Sequence, residues 1–141
     1  MVPAWQDDDY AEILSESKVI AVVGLSNDRF RPSWGVAHYL QQEGYRIIPV
    51  NPHETSVLGE KSYASLLDVP EKIDVVDVFR RPEFVDEVVD QAAAVGAKVV
   101  WLQRGVGTVA SAQRAREAGL KVVLNQCMAT ELHKLHASAA E

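Results

Sequence analysis

Five short runs rich in valine and isoleucine, at Lys18 to Val23, Arg46 to Val50, Asp74 to Phe79, Lys98 to Leu102 and Lys121 to Leu124, alternate with segments whose apolar residues recur at helical spacing. That alternation predicts an α/β chain: a doubly wound parallel sheet of five strands with helices on both faces, joined by right-handed crossovers. The runs are almost unbroken apolar stretches, as expected of strands buried on both sides. Composition agrees. With 141 residues, 48% hydrophobic and 24% charged, the chain has the makeup of a soluble globular protein and is expected to form one domain over 1–141.

Taken in order, Asp7 to Ser17 predicts an outer helix whose first-turn acids suit the positive end of its dipole. After the first strand, a helix is expected to begin past Ser33, turn Val36, Ala37 and Leu40 inward and end near Gly44, a candidate glycine C-cap. The link after Val50 is less regular: it holds Asn51-Pro52-His53, Gly59 and a short helix candidate around Tyr63 to Leu67, closed by Pro70. Beyond the third strand, Phe84, Val85, Val88, Val89 and Ala92 line one helical face, with acids on the other. Val109 to Ala118 predicts another helix, with Thr108 as N-cap and Gly119 at the far end. A final helix is expected from about Ala129 to His136. The order of elements is Rossmann-like.

Charge and cysteine usage exclude several functions. Fourteen Lys and Arg against twenty Asp and Glu leave a net charge of -6, the wrong sign for a surface that tracks nucleic acid. Cys127 stands alone, which removes an internal disulfide and a zinc site of several thiolates, and fits a reducing cytoplasm. No apolar run approaches the ~20 residues that cross a bilayer. Met1 to Asp9 is acidic where a secretory signal would be basic, so a cytoplasmic protein with no membrane partner is expected.

In open parallel sheets, ligands bind beyond the carboxyl ends of the strands, where strand order reverses. The first such loop, Gly24 to Ser33, leads straight into a helix; Gly24 lets the backbone turn, and the amides at Ser33 to Gly35 favour an anion such as a phosphate. Arg29 and Arg31 lie in this loop, Arg80 and Arg81 follow the third strand, and Arg104 follows the fourth. Five of the eight arginines thus fall in loops at one predicted edge, and the planar guanidinium fork suits phosphate. The alternative is that they pair with neighbouring acids. The dinucleotide fingerprint G-x-G-x-x-G is absent, and the second strand ends in Asn51 where an acid would hold a ribose, so an NAD(P)-linked oxidoreductase is the rival, disfavoured reading.

Gly24-Leu25-Ser26 with Arg31-Pro32-Ser33, Ile48-Pro49-Val50-Asn51-Pro52, Asp77-Val78-Phe79-Arg80-Arg81-Pro82 and Trp101-Leu102-Gln103, in that order along the chain, resemble the stand-alone coenzyme A-binding proteins. Their fold is similar to the N-terminal CoA-binding domain of the succinyl-CoA synthetase α subunit. The resemblance implies that Gly24, Ser26 and the arginine-bearing turn to Ser33 contact the CoA phosphates, that Asn51 and Pro52 line the nucleotide end, and that Phe79, Arg80 and Gln103 border the groove. Trp34 and Phe79 are candidate apolar walls for adenine or the pantetheine arm.

Catalytic signals are thin. The synthetases use a phosphorylated histidine in a further domain, which 141 residues leave no room for. His38 falls inside a helix, His53 lacks a nucleophile or carboxylate partner, and His133 and His136 form a helical pair without further ligands. Neither G-x-S-x-G nor G-x-x-x-x-G-K-[ST] occurs. Cys127 is either a core thiol or, if exposed and ionised, a partner for a mixed disulfide with CoA. The expected function is therefore non-catalytic binding of CoA or an acyl-CoA, with a regulatory role docked to a larger acyl-CoA enzyme as a further alternative.

Overall fold

The computed structural model describes residues 5–139. Strand periodicity divides the apolar runs between two cores, because successive side chains point to opposite faces of a sheet. In β1 (Val19–Val23), Ala21 and Val23 enter one core and Ile20 and Val22 the other. Helix α1 (Tyr10–Glu16) precedes β1. The chain continues through α2 (Pro32–Gln42), β2 (Arg46–Val50), a small antiparallel pair β3 (Ser56–Val57) and β4 (Glu60–Lys61), and β5 (Val75–Val78). Then follow α3 (Val85–Ala94), β6 (Val99–Leu102), α4 (Val109–Glu117), β7 (Lys121–Leu124) and α5 (Met128–Ala139).

All five long strands pair in parallel in the order β2-β1-β5-β6-β7, the doubly wound sheet the sequence predicts. Helices α3 and α4 cover one face through Val85, Val88, Val89, Ala92, Ala112 and Ala115. On the other face lie α1, α2 and α5, through Ile13, Leu14, Ala37, Leu40, Met128 and Leu132. Among the described residues no helix is long and apolar enough to cross a membrane.

Several element starts differ from the sequence expectation, each for a local reason. Asp9 caps α1, accepting from the Ala11 and Glu12 amides, so Asp7 and Asp8 lie before the helix rather than in its first turn. They are spent on the sheet. Asp7 Oδ1 accepts from the Leu124 amide and Asp8 Oδ2 from the Val122 amide, along the free edge of β7. Helix α2 begins at Pro32, whose fixed φ suits the first helical position, and Ser33 is already inside it. The expected helix at Tyr63 to Leu67 reduces to a 3₁₀ turn at Leu66–Asp68, because Tyr63 pairs with the edge of β2: its amide donates to the Pro49 carbonyl. Phe84 belongs to a 3₁₀ turn, Pro82–Phe84, ahead of α3 rather than to that helix's buried face.

Candidate functional site

From β1 the chain moves to one side for β2 and returns to the other for β5, so the adjacent ends of β1 and β5 are the switch point of the sheet. Gly24 sits there with φ +90, its amide donating to the Val50 carbonyl at 2.8 Å. A Cβ on it would lie 2.2 Å from the Phe79 carbonyl oxygen. Only glycine allows that approach and that φ together.

Two lobes of a groove open on either side of this point. The first, about 550 Å³, is bounded by Arg31, Ser33 and Val36 of the α2 region, by Phe79-Arg80-Arg81 after β5, by Gln103, Arg104 and Val106 after β6, and by Cys127 after β7. The second, about 580 Å³, shares Gly24, Arg31, Phe79, Arg80 and Arg81, and adds Ser26, Asn51, His53, Glu54 and Phe84. A smaller hollow of about 230 Å³ beneath Pro52 adds Ala64, Ser65, Glu87 and Gln91. Arg80 borders all three.

Charge is distributed unevenly. Arg46, Arg114 and Arg116, far from the groove, are ion-paired with Glu60 and Glu71, with Asp90 and with Asp8. Among the described residues Arg80, Arg81 and Arg104 have no carboxylate partner, and Arg31 has only the exposed Asp28 at 3.7 Å. The Arg80 guanidinium lies over the Phe84 ring, 4.4 Å from its centroid. Unpaired guanidiniums beside the amide end of α2 give the rim of the groove a local excess of positive charge.

The loops that carry these groups are held by the protein's own bonds. Asn51 Nδ2 donates to the Leu25 carbonyl while its Oδ1 accepts from the His53 amide, joining the loops after β1 and β2. Asn27 donates its amide to Glu54 and its side-chain nitrogen to the Ser56 carbonyl. Ser33 Oγ accepts from the Ser26 amide, and Ser26 Oγ from the Asp28 amide. The groove is thus shaped in advance of any ligand.

Of the sequence-predicted residues, Gly24, Ser26, Arg31, Ser33, Asn51, Pro52, Phe79, Arg80 and Gln103 converge on the groove or the hollow beside it. Arg29 and Trp34 do not line it. They meet each other instead, the Arg29 guanidinium 5.1 Å from the indole centroid, and Trp34 stacks on His38 at 4.7 Å. Val36 and Val106 supply apolar wall in the first lobe. His53 borders the second lobe, His133 lies near Tyr39 and His136 near Glu43; among the described residues no cluster suited to a metal exists.

Sequence reasoning placed Asp77 in a buried strand, at the head of one of the motifs, and gave it no role. It is fully buried in β5, accepts one hydrogen bond on Oδ1 from Gln103 Nε2 at 2.6 Å, and leaves Oδ2 without a partner. Burial pushes its carboxyl up to about 7, with the Gln103 bond opposing. The available signal was a lone acid inside a four-residue apolar strand.

Comparison with known proteins places these features. An uncharacterized protein of Bacillus subtilis (strain 168), YneT, is 41% identical over 117 residues, 83% of this chain and 87% of that one. A hypothetical protein from Pyrococcus horikoshii OT3 of solved structure is 45% identical, with a TM-score of 0.88 over 94% of this chain and 93% of that one. The α subunit of the ADP-forming acetate–CoA ligase II of Pyrococcus furiosus is 30% identical over 103 residues, 72% of this chain but 22% of the subunit. A family model for the CoA binding domain matches residues 18–133. With most of its length inside that match, the chain belongs to the family of CoA-binding domains.

Proposed function

We propose that this protein binds coenzyme A or an acyl-CoA in the groove at the carboxyl edge of the sheet and does not transform it unaided. The observation that carries the reading is the trio Arg80, Arg81 and Arg104, left without carboxylate partners on the rim of a preformed groove. CoA brings a pyrophosphate and a 3′-phosphate that need charged donors, and an adenine and a pantetheine arm that need apolar walls. Ser26, Ser33 and the amides at the start of α2 would serve the phosphates with the arginines; Phe79, Val36 and Val106 would serve the arm. Among the described residues the groove holds no paired nucleophile and base: the His53 side chain has no hydrogen-bond partner there, and Glu54 Oε2 accepts from the Asn27 amide. In the Pyrococcus ligase the similar segment is a minor part of a larger subunit, which supports presentation of CoA to a separate acyl-CoA enzyme as this chain's role.

Calorimetric titration of ligand-stripped protein with CoA, dephospho-CoA, NAD, NADP and ATP tests the reading. CoA is expected to bind most tightly, with a loss when the 3′-phosphate is missing. A preference for NADP, or indifference to CoA, overturns it.

A further inference from the structure

Asp77, one residue before the end of β5, is bonded to Gln103, which follows β6 and borders the first lobe of the groove. Gln103 is itself buried and borders that lobe, so it has one side toward Asp77 and one toward the ligand space. One N–H of its Nε2 donates to Asp77 Oδ1, while no donor among the described residues reaches its Oε1. Asp77 Oδ2 is, among those residues, the one buried side-chain polar atom without a partner. A buried carboxylate with half its acceptors unused is costly, and a strand interior has little reason to retain one for packing.

We propose that Asp77 is a positioning residue for the groove: its carboxylate holds the Gln103 amide from below, so that the amide meets the ligand with its carbonyl oxygen and selects for an N–H donor such as those of a pantetheine arm. This rests on the CoA reading above and adds a regulatory property to it. Protonated on Oδ2, Asp77 becomes a donor. The acid and amide then close a two-bond ring, Oδ2–H to Oε1 beside the retained Nε2–H to Oδ1, and Oε1 is withdrawn from the ligand. Two states of one buried pair thus present or withdraw an acceptor, and binding is stronger in the ionised state.

The surroundings leave this equilibrium to the pair. In register beside Asp77 are Val22 of β1 and Trp101 of β6, neither of which titrates here. Of the helices over that face, α1 and α2 contribute no buried charge, and α5 contributes Glu131, which is ion-paired with Lys134. Cys127 and the arginines 31, 80, 81 and 104 line the lobe above. Burial and the Gln103 bond alone set the carboxyl's position near neutrality.

The test has two arms. In ligand-free protein, NMR titration between pH 5 and 9 follows the Asp77 carboxyl carbon and the Gln103 side-chain amide together; a shared inflection is expected, and an amide that ignores the carboxyl overturns the proposal. In the second arm, calorimetry with CoA at pH 5.5 and 8.5 compares the parent with Asp77→Asn. About five- to tenfold tighter binding at the higher pH is expected in the parent beyond any change in the variant, which keeps His53 and every arginine. An identical pH profile in Asp77→Asn overturns the proposal. If CoA binds neither protein at any pH, the CoA reading fails, and the NMR arm still decides the coupling.

Discussion

At Gly24 a single hydrogen atom in place of a side chain lets two strand ends approach until a Cβ would lie 2.2 Å from the Phe79 carbonyl oxygen. Gly24→Ala combines that clash with a φ of +90, and is expected to cost at least ~2 kcal/mol in urea unfolding. At the rim, Arg80 and Arg81 have no carboxylate partner among the described residues. Replacing each by alanine should remove about 1.5 to 3 kcal/mol of CoA binding, on the order of 10- to 100-fold in Kd, and a double variant that titrates like the parent would place neither at the ligand. That these residues meet at one edge was readable from sequence, since each follows a strand whose carboxyl end the doubly wound topology brings there. The partners of Trp34 are equally local, since His38 lies four residues on along the same helix face and Arg29 five residues before it. Asp77 was hidden by its neighbours: a strand of valines reads as packing.

At the scale of elements, apolar period and length identified the five parallel strands and the main helices, whereas starts governed by distant contacts were misplaced. Asp7 and Asp8 read locally as helix-starting acids, yet their partners are the Leu124 and Val122 amides. The β3–β4 pair, two residues a strand, lies below any periodicity a sequence can display. Burial raises the Asp8 carboxyl, but the Val122 amide and Arg116 outweigh it and leave the pKa below its usual value. Its contribution is therefore present above the ordinary carboxylate range and lost as pH falls through the lowered folded value. Asp8→Ala is expected to cost about 1 to 2 kcal/mol at pH 7, read by urea denaturation, with the difference from the parent closing in acid.

Over the whole molecule, the sheet order places the groove and the two cores cover the sheet that carries it, and both followed from the alternation of strand and helix. The buried acid taxes that scaffold. A folded-state value of about 7 against an ordinary 3.8 means that the fold favours the neutral form; the contribution of Asp77 to stability is greatest below about pH 4 and is lost as pH rises through 7. Asp77→Asn should accordingly be more stable than the parent at pH 8.5, with little difference at pH 4; equal unfolding midpoints at pH 8.5 would show that the charge is accommodated without cost. The aspartates along β7 have a consequence in time. Asp8 is made 114 residues before the Val122 amide it binds, an interval of roughly 6 to 23 seconds at ordinary rates of translation. A segment that seals the last edge of the sheet must therefore wait, unseated, until the strand it guards has left the ribosome.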